Sequence, residues 1–195
     1  MTNGLRQRAK AALPPSALAL ARSLRRTLTA RLPQPVIAVD AHRRTHKVFP
    51  RLVAPRTFNE KILHRKLFDR RPLLSTLADK LAARAYVAER LDPDILPRLY
   101  TVTTDPTSLP FSALPDRFVV KPTHGSGWVW IVRDKATVDR AALIDTCRQW
   151  LATSYYDRTG EWIYKNVPPR ILIEELIEDG SGIAPTDYKL FTFDG

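Results

Sequence analysis

Two apolar runs of strand character, Phe118-Val119-Val120 and Trp128-Val129-Trp130-Ile131-Val132, flank a loop that holds Lys121, His124, Gly125, Ser126 and Gly127. β-Branched and aromatic runs separated by small residues predict a hairpin with an amide-rich tip. Arg170 to Glu174, with Ile171-Leu172-Ile173 at its centre, predicts a buried strand, and Ile95 to Thr103 predicts a short one. Helical spacing appears elsewhere. Thr57-Phe58-Asn59-Glu60 has the form of a capping box and opens a helix with Ile62, Leu63 and Leu67 inward, closed near Pro72. Leu77, Leu81 and Ala85 mark one further helix that ends before Asp92-Pro93, and Asp139 caps another that runs to about Thr153. Near the N-terminus Ser16 caps a helix to about Ala30, with Leu20, Leu24 and Leu28 on one face and Arg22, Arg25 and Arg26 on the other. Leu32 to Arg56, with Pro33, Pro35, Pro50 and Pro55, reads as a linker.

Charge sharpens this picture. The 195 residues carry a net charge of +11, but residues 1–71 hold 17 Lys+Arg against 3 Asp+Glu, whereas the remaining 124 hold 14 against 17. The basicity therefore belongs to the N-terminal segment. A basic amphipathic helix there could lie on an anionic membrane surface, but a helix docked on its own domain with a solvated arginine face is the favoured reading. A nucleic-acid module is disfavoured, because the basic residues lack interleaved aromatics and no reader motif is present. No apolar run approaches the roughly 20 residues that cross a bilayer. Cys147 is the only cysteine, which excludes an intramolecular disulfide, and its helical neighbours make it a small buried apolar residue.

The hairpin loop carries the chemistry. Glycines let successive backbone N–H groups converge on an anion, and a lysine adds the point charge that phosphate needs. This is not a Walker A loop, because Lys121 precedes the glycines and a strand follows where a helix is required. Further motifs stand in order along the chain: FNEK (Phe58–Lys61), ADK (Ala78–Lys80), FVVKPTHGSG (Phe118–Gly127), EWIYKN (Glu161–Asn166), PRILIEELIED (Pro169–Asp179) and DYKLFTFDG (Asp187–Gly195). Together they resemble the TupA-like ATP-grasp proteins of teichuronopeptide and surface-polysaccharide biosynthesis, over roughly Arg56 to the last residue.

That resemblance implies an α+β ATP-grasp fold: a basic helix and linker over 1–55, a small helical subdomain over 56–115, the phosphate-loop hairpin over 116–168, and the start of a C-terminal subdomain over 169–195. It implies ATP as cofactor. Lys121 and Lys80 match the two phosphate lysines, although each also reads as a solvated surface charge. Gly125, Ser126 and Gly127 match the phosphate loop, and His124 either donates to phosphate or satisfies a backbone carbonyl. Glu174, Glu175, Leu176 and Ile177 match the adenine hinge, Asp187 the ribose position, and Lys189 either a phosphate contact or a partner of Asp187. Glu161, Trp162, Tyr164 and Lys165 match a segment particular to this type, read as an acceptor site for a sugar or carboxylate or as an aromatic cluster that packs a loop.

The implied activity is carboxylate–amine ligation on a uronic-acid polymer or precursor, on the cytoplasmic side of the membrane and peripheral to its inner face. The family's Mg2+ ligands come later than Gly195, so the chain is expected to be incomplete at its C-terminal end and inactive alone. A glycosyltransferase is the rival reading, but Asp92-Pro93-Asp94 matches its D-x-D motif in letters only.

Overall fold

Caps and apolar stripes set where this chain turns helical, and burial of one sheet face sets the rest. The computed structural model describes residues 33–179 together with 185, 186, 188 and 190. The basic amphipathic pattern over 16–30 lies outside them, as do Asp187 and Lys189. Contacts group the chain into two units, Met1–Phe68 and Asp69–Gly195.

In the first unit, helix α1 spans Gln34–His46, inside the stretch expected to be a linker. Its prolines do not oppose a helix. Pro33 is the N-cap and Pro35 lies in the first turn, where a missing N–H loses nothing. Arg43, Arg44 and His46 occupy the last turn, at the negative end of the helix dipole. Lys47 closes the helix in the left-handed region at φ 64°.

Helix α2 (Phe58–Phe68) opens on the expected capping box. The Glu60 N–H donates to Thr57 Oγ1 at 3.2 Å, and the Thr57 N–H donates to Glu60 Oε2 at 3.0 Å. The same carboxylate accepts from the Arg56 N–H at 2.9 Å and the Arg51 N–H at 3.0 Å, so it gathers the whole preceding loop. Leu63 and Leu67, one turn apart, are buried; Ile62 is exposed, against expectation, because it lies about 100° around the helix from Leu63.

Backbone N–H donors at Thr57, Arg51 and Arg56 hold the Glu60 carboxyl down from 4.5 to about 2. Its stabilising contribution is therefore complete above pH 4.5 and is lost as pH falls towards 2. Glu60→Gln should lower the melting temperature of the chain at neutral pH, and the gap from wild type should close through that window. A gap that stays constant down to pH 2 would show that the carboxylate charge is not what holds the loop.

In the second unit the single helix expected around Leu77–Ala85 is two, α3 (Pro72–Ala78) and α4 (Lys80–Ala88). Asp79 breaks it. Its backbone is extended at φ −75°, ψ 111°, and its side chain caps α4 by accepting from the Leu81 N–H at 2.9 Å. Lys80 thereby becomes the first residue of α4.

Four strands follow: β1 (Leu99–Thr103), β2 (Phe118–Pro122), β3 (Trp130–Val132) and β4 (Ile171–Glu175). They form an antiparallel sheet in the order β1-β4-β2-β3. β1 begins later than expected because Pro93–Ile95 is a 3-10 turn capped by Asp92. The β2–β3 hairpin forms as expected, with Phe118 opposite Val132 and Val120 opposite Trp130, while Trp128 and Val129 stay in the loop.

One sheet face carries the core. Phe118, Val120, Val132, Ile171 and Ile173 pack with Leu109 and Leu114 against Leu143 and Cys147 of helix α5 (Arg140–Leu151). Asp139 caps α5 as expected, accepting from the Ala142 N–H at 3.0 Å. Each large apolar side chain buried there contributes roughly 1.5–3 kcal/mol, which suffices to choose the face and hence the strand register. Cys147 is fully buried and burial raises its thiol to about 11, so it acts as a small apolar residue.

Candidate functional site

Strand alternation that sends Val120 and Ile173 into the core sends Val119, Lys121 and Glu174 to the opposite face. Val119 stands opposite Glu174 and Lys121 opposite Leu172 in the β2–β4 ladder. Lys121 Nζ lies 2.5 Å from Glu174 Oε1. Arg84, on α4 one turn beyond Lys80, holds the other carboxylate oxygen at 3.3 Å and also donates to the Pro97 carbonyl. Glu174 is 8% exposed, so its charge is removed from water and needs both cations.

The start of α4 meets the loop after β2. Lys80 Nζ donates to the Pro122 carbonyl at 2.9 Å and to the Gly125 carbonyl. The Lys80 N–H reaches the Thr123 carbonyl at 3.3 Å. Burial, and next the neighbouring Lys121 charge, lower the Lys80 ammonium from 10.5 to about 8 against the opposing pull of Glu174 and Asp79. Asp79 is anchored in turn by Arg170, at 3.0 Å. Thr123 ties the loop to the entry of β4: its hydroxyl donates to the Pro168 carbonyl at 2.7 Å and accepts from the Arg170 N–H at 3.1 Å. The segments around Asp79-Lys80, Lys121–Gly125 and Arg170–Glu174, far apart in sequence, are thus one constellation.

Gly125 is buried in the loop, whereas Ser126 and Gly127 form its exposed tip. Gly127 has φ +74°, a left-handed conformation that favours glycine. His124 is buried with Nε2 at 3.0 Å from the Trp150 carbonyl, and Nδ1 has no hydrogen-bond partner among the described residues. Burial lowers its pKa, and the Trp150 and Thr153 carbonyls oppose that.

Beside the Lys121–Glu174 pair lies a cleft of about 210 Å³. Val119, Val129 and Ile131 line it together with Pro97 and, at and just beyond the end of β4, Glu175, Leu176 and Ile177. The half-exposed side chains of Val129, Ile131 and Ile177 give it apolar sides. The Arg98 N–H donates to the Glu175 carboxylate at 3.1 Å, and Glu178 is paired with both Arg117 and Arg133, which fixes the segment after the strand.

The remaining expected residues sit apart from this cleft. Trp162 and Tyr164 are on a 3-10 turn, with Glu161 before it and Lys165 after. The Arg70 guanidinium lies 4.9 Å from the Trp162 ring, and Lys165 Nζ lies 5.7 Å from the Tyr156 ring. Tyr164 faces inward against Tyr155. Sequence reasoning missed Arg84, Asp79 and Arg170 as site residues. Arg84 had one local signal, its place four residues after Lys80 on the same helical face.

Among the described residues no three His, Cys, Asp or Glu side chains are grouped to hold a metal ion. No described helix is long and apolar enough to cross a membrane. No curated protein and no solved structure matches the chain. A family model described as TupA-like ATPgrasp matches residues 60–195, well over half of the sequence and the whole span of this constellation. The chain belongs to the TupA-like ATP-grasp family.

Proposed function

We propose that the protein binds ATP in the β2–β4 cleft, with adenine against Glu175–Ile177 and the phosphates over Lys121, Lys80 and the Gly125–Gly127 loop. The observation that carries this reading is Lys121 lining an apolar cleft, with Lys80 bound to the Pro122 and Gly125 carbonyls of the glycine loop that follows on the same strand. Two cations suit a triphosphate, whose several charges in a partly desolvated site need fixed positive partners. Arg84 keeps Glu174 paired when Lys121 turns to phosphate, so binding does not strand a buried carboxylate.

The proposed chemistry is ligation. A carboxylate oxygen attacks the γ-phosphorus of ATP, which gives an acyl phosphate and ADP. An amine then attacks the acyl carbon and releases phosphate. Magnesium, which ATP-grasp proteins generally use with ATP, finds no ligand set among the described residues. The acceptor is proposed to be a uronic acid of a surface polysaccharide or its precursor, met near Glu161, Trp162 and Lys165. The setting is the cytoplasmic side of the membrane, where ATP is supplied; peripheral attachment there rests on the basic pattern of Ser16–Ala30 alone.

Lys80 makes the reading testable by pH. Its ammonium is charged below about pH 8 and neutral above it, well before an ordinary lysine at 10.5. Loss of that proton removes one of the two phosphate cations. ATP affinity of the full chain, measured by calorimetry, should hold up to about pH 8 and fall beyond it. Lys80→Ala should bind more weakly and without that fall. Absence of ATP binding at any pH sinks the proposal, and an identical fall in Lys80→Ala removes Lys80 from the site.

A further inference from the structure

The phosphate loop leans on a stack of aromatic rings that the nucleotide reading does not use. Trp128, directly after Gly127, sits 5.7 Å from the His124 ring and 5.3 Å from the Tyr155 ring, the latter edge-on at 85°. Tyr155 opens helix α6 (Tyr155–Thr159) and lies 4.6 Å from Tyr164. The Ser126 hydroxyl interacts in turn with the Tyr164 phenol. Gly125 is pressed against the same rings: a Cβ there would meet Trp128 at 2.8 Å and Tyr155 at 3.1 Å. The loop backbone therefore has no room to shift towards the stack, and Lys80 holds the Gly125 carbonyl from another direction.

We propose that Tyr155, held by Tyr164, is a positioning residue that sets the phosphate-binding conformation of the Gly125–Gly127 loop through Trp128. This rests on the nucleotide reading above. Tyr155 touches no proposed ligand position. It is the middle ring between the loop and the Trp162–Tyr164 turn, so whatever displaces that turn is transmitted to the loop as a change in ring packing. Rigid support of this kind matters because a donor array out of place by a fraction of an ångström loses much of its hold on an anion.

Base binding and phosphate binding separate the positioning role from a general loss of structure. Calorimetry on the full chain with ATP and with adenosine is the experiment. Tyr155→Ala should weaken ATP about tenfold, the scale of one lost aromatic pair, and leave adenosine unchanged. Tyr155→Phe, which keeps the ring, should bind both like wild type. Gly125→Ala probes the same contact from the loop side if Tyr155→Ala does not fold, and it should show the same selective loss. Equal weakening of ATP and adenosine, or a Tyr155→Phe protein as impaired as Tyr155→Ala, overturns the inference. So do variants that bind ATP as wild type does. A wild-type chain that binds no ATP overturns the nucleotide reading itself, a result distinct from any of these.

Discussion

Replacing Lys121 by alanine is expected to weaken ATP binding by about 1.5–3 kcal/mol, the scale of a charge-assisted hydrogen bond. Lys121 is the cation nearest the cleft: its side chain is 30% exposed, so the ammonium is both reachable and partly desolvated. Its removal has a second consequence. Glu174 would keep only Arg84, at the longer distance of 3.3 Å, and its negative charge would face the phosphates less fully offset. Both effects act in the same direction, which places the expected loss towards the upper end. Calorimetry decides it, with the melting curve as a check that the fold survives. Unchanged affinity in a folded Lys121→Ala protein would remove the central element of the proposed site.

Glu174→Ala is expected to act on stability. The carboxylate is buried between Lys121 and Arg84, with Lys80 close by, so its loss leaves cations together in a desolvated place. Breaking a buried pair from one side destabilises by roughly 3–5 kcal/mol, far more than a surface ion pair contributes. Partial exposure of Lys121 sets the expectation at the low end, about 3 kcal/mol. The double variant Lys121→Ala/Glu174→Ala should lose less than the sum of the two single losses, because one partner's removal relieves the other. Urea unfolding midpoints measure this. Strict additivity would show that the two groups do not act as a pair.

Much of the local structure was legible because its signals lie within a few residues of one another. Thr57 with Glu60, and Asp139 ahead of Ala142, are caps that need only one turn of chain, and both formed. The β2–β3 hairpin was legible from its apolar runs and glycine loop, and Cys147 from the helical spacing around it. Local signals also misled where position within the element mattered. Pro33 and Pro35 suggested a linker but stand at the start of α1, and the apolar spacing across Leu77, Leu81 and Ala85 concealed the break at Asp79.

The site was legible as residue types and illegible as an arrangement. Lys80, Lys121 and Glu174 stood out through motif resemblance, yet nothing local paired Lys121 with Glu174 or brought Arg84 to the same carboxylate. Those partners lie 53 and 90 residues apart in sequence. The aromatic segment around Trp162 and Tyr164 was visible, but the ring between it and the loop, Tyr155, was not, since its role exists only through contacts with Trp128 and Tyr164.

Taken by itself, the sequence determined the helix caps, the strand-forming runs, the glycine loop and the family, because each is carried by residue chemistry at short range or in fixed order. The sheet order β1-β4-β2-β3 was decided only in three dimensions. Burying Phe118, Val120, Ile171 and Ile173 on one face is a property of the whole sheet, and it is that burial which turns Lys121 and Glu174 together towards the cleft.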